Sequence, residues 1–184
     1  MKILISACLL GVCCRYDGAS KPHPLVQQLA EKHELIPVCP EQLGGLCTPR
    51  TCSERIGQAV INQIGQDVTD QFRRGAEEAL RIAQTWDCKE AILKERSPSC
   101  GFGMIYDGSF SGRLIAGSGI FARALRDAGK RVPEDVSVMG LDGLALGRYL
   151  IPSLSTVKQD FKTIALRSVQ ILLDCMEEDS PAKH

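Results

Sequence analysis

"DVTDQFRRGAEEALRIAQTWDCKEAILKERSPSCG", residues 67–101, holds the alternation that decides the fold. Over 67–84, Phe72, Ala76, Leu80 and Ala83 fall on one helical stripe, with Asp67 or Thr69 placed to cap its start. "KEAILKE" (89–95) then reads as a short buried strand. The next turn, "KERSPSCG" (94–101), packs two bases, an acid, two hydroxyls, a thiol and a glycine into eight residues. Reactive side chains crowd where a strand ends, which is where open parallel sheets keep their ligand sites.

The same alternation extends in both directions. Upstream, "KILISAC" (2–8) is an apolar strand, "PLVQQLAEKH" (24–33) a helix opened by Pro24, and "ELIPVC" (34–39) a second strand. Pro37 in that strand predicts an edge position or an irregularity. Residues 40–58 read as a long Gly/Pro/Cys loop. Downstream, "GIFARALRDAG" (119–129) is a helix closed by Gly129, "DVSVMGL" (135–141) a fourth strand, and "DFKTIALRSVQILLDCM" (160–176) a long amphipathic helix. Continuous apolar strands alternating with helices predict an α/β fold. Its form is a Rossmann-like three-layer sandwich with a mostly parallel sheet and helices on both faces.

The chain's 184 residues suit one domain, or one domain with an appendage. Lys+Arg and Asp+Glu both number 22, so no global charge draws it to nucleic acid or to an anionic membrane. No apolar run approaches the roughly 20 residues that span a bilayer. "MKILISACLLGVCCRYDG" mimics a leader only weakly and reads as strand and loop, so a cytoplasmic location is expected.

Nine cysteines are many for such a chain, and in that compartment structural disulfides are disfavoured. Cys88 and Cys175 read as small buried hydrophobes. The others gather in Gly/Pro-rich loops, where thiol or metal chemistry is the better explanation. Cys8 ends the first strand, Cys39 ends the second, and Cys100 follows the third, so the topology itself brings three thiols to one sheet edge. Their spacing matches neither zinc ribbons nor ferredoxin runs. His23, His33 and His184 read as ordinary surface or packing residues. A soft all-thiolate set suits an iron–sulfur cluster, with one iron left open, or a zinc ion completed by Cys13, Cys14 or Cys47. Glu41 and Ser97 lie beside these thiols in sequence, as a candidate acid/base and a nucleophile or orienting group; Ser97 before Pro98 also suits a plain turn.

"ISACLLGVCCRYDG" (5–18), "LIPVCPEQLGG…TPR" (35–50) and "AILKERSPSCG…IYDGSFSG" (91–112) together resemble the DUF523 family, with the likeness running from Met1 to about Val132. The family includes thiouracil desulfidases that hold a [4Fe–4S] cluster by three cysteines and remove sulfur from thiolated pyrimidines. The resemblance implies Cys8, Cys39 and Cys100 as cluster and metal ligands, and Glu41 and Ser97 as the catalytic pair. It implies hydrolytic C–S cleavage of a small thiolated substrate, with sulfide as product. Arg15, Lys94 and the two "YDG" turns would shape the pocket. Cys47 and Cys52 depart from the family's pattern and read as neutral substitutions.

From about Val132, "VPEDVSVMGLDGLALGRYLIPSLSTVKQDFKTIALRSVQILLD" resembles the C-terminal part of LacI/GalR-type repressor ligand-binding domains. This implies a desulfidase domain over 1–131, a repressor-like strand and helix segment over 132–178 packed on the same sheet, and a disordered tail over 179–184. Asp142 stands where such repressors often contact a sugar, but their DNA-binding headpiece has no counterpart, so no repressor activity is expected. Two other readings remain at this level: a non-catalytic zinc–thiolate protein, and an inactive natural or engineered chimera with a small-ligand-binding fragment.

Overall fold

A computed structural model describes residues 1–128, 138–140 and 155–156. The order is β1 (Lys2–Ser6), a 3-10 turn (Ala7–Leu10), α1 (Pro24–Ala30), β2 (Glu34–Val38), α2 (Pro40–Leu43), β3 (Ser53–Ile56) and β4 (Ala59–Asn62). Then follow α3 (Thr69–Thr85), β5 (Glu90–Ile92), β6 (Met104–Tyr106), β7 (Leu114–Ala116), α4 (Ile120–Asp127), β8 (Val138–Gly140) and β9 (Ser155–Thr156). Five strands form one sheet in the order β2-β1-β5-β8-β9, and every pairing in it is parallel. The mixed α/β class with a parallel sheet is therefore as expected.

Period-two side chains divide the core. Leu4, Ala91 and Leu93 join α3 and α4 through Ala76, Ala79, Phe121 and Leu125. Ile3, Ile5 and Ile92 point to the other face, where Val26 of α1 and Cys8, Leu9 and Cys14 pack. A third cluster seats Phe72 against Val60 and Val68. β2 lies at the end of the sheet, which accommodates Pro37 opposite Ile5.

Caps explain several boundaries. The His23 Nδ1 accepts from the Leu25 N–H at 3.3 Å and opens α1. At α3, Asp67 Oδ1 accepts from the Thr69 N–H at 2.8 Å, while the Thr69 hydroxyl instead accepts from the Val60 N–H at 2.9 Å. β5 is shorter than its apolar run because the Lys94 N–H donates to Ser6 Oγ at 2.9 Å instead of continuing the ladder.

The expected loop over 40–58 is in part regular, and this corrects the sequence reading. It contains α2 and β3, and β3 pairs with β4 across Gly57–Gln58. The strand escapes the alternation rule because Glu54 and Arg55 are both buried. Glu54 accepts from the Gly108 and Phe110 N–H groups at 2.9 and 3.0 Å, and Arg55 donates to Ser118 O and Gly57 O, so neither charge is stranded. Of the strand expected at 135–141, residues 138–140 are described. Gly129, Asp142, Cys175, His184, the helix over 160–176 and the tail over 179–184 lie outside the described residues. Among the described residues, no helix is long and apolar enough to cross a membrane.

Candidate functional site: a thiol-lined cavity at the ends of three strands

β1, β2 and β5 run parallel, so their C-terminal ends open on the same side. Cys8 lies in the 3-10 turn directly after β1. Cys39 follows Val38 and is the residue on which α2 starts. Cys100 is reached by the loop after β5, whose shape is held by its own polar groups. Ser97 Oγ accepts from the Ser99 and Cys100 N–H groups, each at 3.1 Å, and Ser97 O accepts from the Gly101 N–H at 2.8 Å. The loop carbonyls then satisfy α4: Ile120 N–H donates to Pro98 O at 2.9 Å and Phe121 N–H to Ser99 O at 3.0 Å. Arg96 enters this loop with φ of 59°, in the left-handed region.

These segments enclose a cavity of about 440 Å³, and Cys8, Cys39, Cys100, Glu41 and Ser97 all line it. The five residues singled out from sequence are thus brought to one place. Cys14 is a sixth member, 1% exposed and lining the same wall. Cys13 and Cys47 are exposed. Cys52 reaches the wall, where its thiol donates to Gln63 Oε1 at 3.2 Å. Eight cysteines are free among the described residues.

Burial keeps several of these thiols protonated in the metal-free protein. Burial pushes the Cys100 thiol well above its usual range; a hydrogen bond with Ser6 opposes this, and Cys8, Glu41 and Cys39 add to it. Burial likewise raises Cys8, while Lys94 and Arg15 pull it back. Cys14 is pushed up to about 12 by burial and by its neighbours Cys39 and Cys8. Neighbouring sulfurs thus oppose one another's ionisation. Among the described residues, no three His, Cys, Asp or Glu side chains converge on one ion-sized point. The thiols are spread over a wall instead.

Glu41 is the second residue of α2, and its carboxylate is gripped by Arg50. Arg50 Nε and Nη2 reach Glu41 Oε2 at 2.8 and 2.7 Å. Sequence reasoning missed this partner. Arg50 stood in the quoted "TPR" with no role, and a contact formed across an irregular loop leaves no periodic trace. Lys94 and Arg15 do line the cavity; Arg15 is held by Asp17 through bonds of 3.2 and 2.8 Å. Asp17 also accepts from the Ala19 N–H, so the first "YDG" is an Asx turn.

Three comparisons bear on this arrangement. The solved structure of the [4Fe–4S]-dependent thiouracil desulfidase TudS superposes with a TM-score of 0.68 at 43% identity, over 76% of this chain and 89% of that one. The uncharacterized protein YbbK of Bacillus subtilis (strain 168) is 41% identical over 140 residues, covering 71% of this chain and 93% of that protein. A different likeness is to the ribose operon repressor of Halalkalibacterium halodurans, 35% identical over 72 residues, 39% of this chain. The chain spans only 22% of that regulator. The 2-thiouracil desulfurase family matches residues 3–136, a range that contains every described residue lining the cavity. The chain belongs to the 2-thiouracil desulfurase family, also known as DUF523.

Proposed function

We propose that the chain is a [4Fe–4S]-dependent desulfidase that removes sulfur, as sulfide, from a thiocarbonyl compound of the thiolated-pyrimidine type. The observation that carries the reading is the meeting of Cys8, Cys39 and Cys100, from three strand ends, with Glu41 and Ser97 around one cavity. The donor set fits the cluster: it is all sulfur, with Cys8 and Cys100 buried and Cys39 half-buried, around one cavity of about 440 Å³. Cys8, Cys39 and Cys100 would hold it, and when bound it supplies a Lewis-acidic iron position for the substrate sulfur.

The protein's own groups would do the rest. Both Arg50 contacts fall on Glu41 Oε2, leaving Oε1 to take a proton from the attacking water and return it. A hydroxyl has two acceptor sites and one donor. Ser97 has spent both acceptors on the Ser99 and Cys100 N–H groups, so it is suited to donate to water or substrate and not to act as a base. Lys94 and Arg15 would offset the negative charge that thiolate ligands bring to the cavity. The finer organisation is part of the same proposal: a Rossmann-like three-layer desulfidase domain over 1–131, continued by the repressor-like segment over 132–178, in the cytoplasm.

The test is anaerobic reconstitution, followed by the visible absorption spectrum, iron content and sulfide release from 2-thiouracil. Uptake of iron with sulfide release supports the proposal, and Cys100→Ala is expected to lose both. A wild-type chain that takes up no iron, or binds stoichiometric zinc with Glu41 and Ser97 dispensable, defeats it.

A further inference from the structure

We infer that Arg50 is a positioning residue for Glu41, fixing its carboxylate against the segments that carry Cys14 and Cys47; this rests on the desulfidase reading above. Arg50 is a hub. Beyond the two bonds to Glu41, its Nη1 donates to Cys47 O and Thr48 Oγ1, both at 3.1 Å, and its Nη2 donates to Cys14 O at 3.1 Å. Its own backbone N–H donates to Tyr16 O at 2.8 Å. The guanidinium is thus pinned from three segments and cannot swing away from the carboxylate.

The Cys14 carbonyl adds the second half. It also accepts the Cys39 thiol, at 3.7 Å. Arg50 therefore joins the proposed base to the Cys14 carbonyl; the thiol bond to that carbonyl belongs to the cluster-free protein, since a thiolate ligand has no proton to donate. α2, which carries Glu41, has only four residues, too short to hold a side chain rigidly by its own hydrogen bonds. The Arg50 and Glu41 side chains are only 9% and 16% exposed. A pair this buried is weak evidence for stability, because desolvation offsets much of its attraction. Geometry is what a planar guanidinium fork supplies and a lysine does not.

Arg50→Ala, Arg50→Lys, Glu41→Gln and the Arg50→Ala/Glu41→Gln double variant, each reconstituted anaerobically, test the inference. Arg50→Ala is expected to keep the wild-type iron content and absorption spectrum while losing about 100-fold in kcat. Its KM should stay within about twofold. Millimolar guanidinium ion should restore part of kcat in Arg50→Ala and none in Glu41→Gln. The double variant should be no slower than Glu41→Gln alone, because Arg50 acts through that carboxylate. Arg50→Lys, which keeps the charge and is the safer variant to fold, should fall by about tenfold. Wild-type kcat in Arg50→Lys or Arg50→Ala overturns the inference alone, as does a loss of kcat matched by loss of iron and not restored by guanidinium. A wild-type chain that loads iron yet releases no sulfide overturns the desulfidase reading and this inference with it.

Discussion

At Ser97 the hydroxyl oxygen closes a loop and faces a cavity at once, so its removal should register in two measurements. Ser99 and Cys100 are 1% and 5% exposed, and their N–H groups would find little water if Ser97 Oγ were deleted. Ser97→Ala should therefore cost about 1–3 kcal/mol in chemical denaturation, the usual range for stranded buried donors. Ser97→Thr should recover most of it. If Ser97→Ala loses sulfide release with no loss of stability, the hydroxyl serves the substrate alone and the loop has another support. Cys14 makes a pH prediction. Its thiol stands at about 12 in the fold, above the roughly 8.5 of an unfolded chain. A raised acid favours the fold fully below the unfolded value, and that contribution drains away as pH climbs from about 8.5 toward 12. The cluster-free protein should lose urea resistance over that window, and Cys14→Ala should lose it less steeply; equal slopes would refute the assignment.

Between elements, the site depends on two places where backbone meets backbone. α2 lies against α3 so closely that a Cβ on Gly75 would come within 1.8 Å of Pro40 O, and one on Gly44 within 2.0 Å of Gln71 O. On the other side, a Cβ on Gly119 would come within 2.1 Å of Ser99 O, so the start of α4 sets the height of the Cys100 loop. Gly75→Ala should push α2 outward, carrying Cys39 and Glu41 with it. It should destabilise the fold by about 1–3 kcal/mol, as overpacking does. Iron content after reconstitution should fall more than in Ala76→Gly, a change on the same helix that opens space instead of filling it. Full iron loading in Gly75→Ala would show that α2 can shift without disturbing the ligands. These contacts mark the limit of what the sequence exposes. That Cys8, Cys39 and Cys100 would border one cavity was legible, because parallel strands place their ends together whatever the side chains. The helix crossing through Gly44 and Gly75 was not, since a glycine in a helix names no partner. Nor was β3, whose buried Glu54 and Arg55 make sense only once Gly108 and Ser118 arrive from more than fifty residues away.

For the molecule as a whole, the family match ends at residue 136, and the cavity is lined by residues between Ser6 and Gly112. β8 and β9 lie beyond that match, in the stretch whose wording resembles repressors, and yet they continue the sheet that β2, β1 and β5 begin. Ile92 of β5 pairs with Met139, and Met139 in turn pairs with Ser155 of β9. A strand from this stretch can serve here because a parallel ladder asks only for extended backbone in register. β8 covers the edge of β5 that would otherwise offer unpaired N–H and C=O groups to another chain. Met139→Pro tests this directly, since proline removes the strand's donor and is not tolerated between two paired neighbours. The variant should lose about 1–3 kcal/mol of stability, the cost of a stranded ladder group. It should also aggregate more readily as concentration rises. Iron bound per folded molecule should stay at the wild-type level, because the described lining of the cavity comes from residues between Ser6 and Gly112. An unchanged melting temperature would mean that the repressor-like segment is a passenger on the sheet and not part of its cooperative unit.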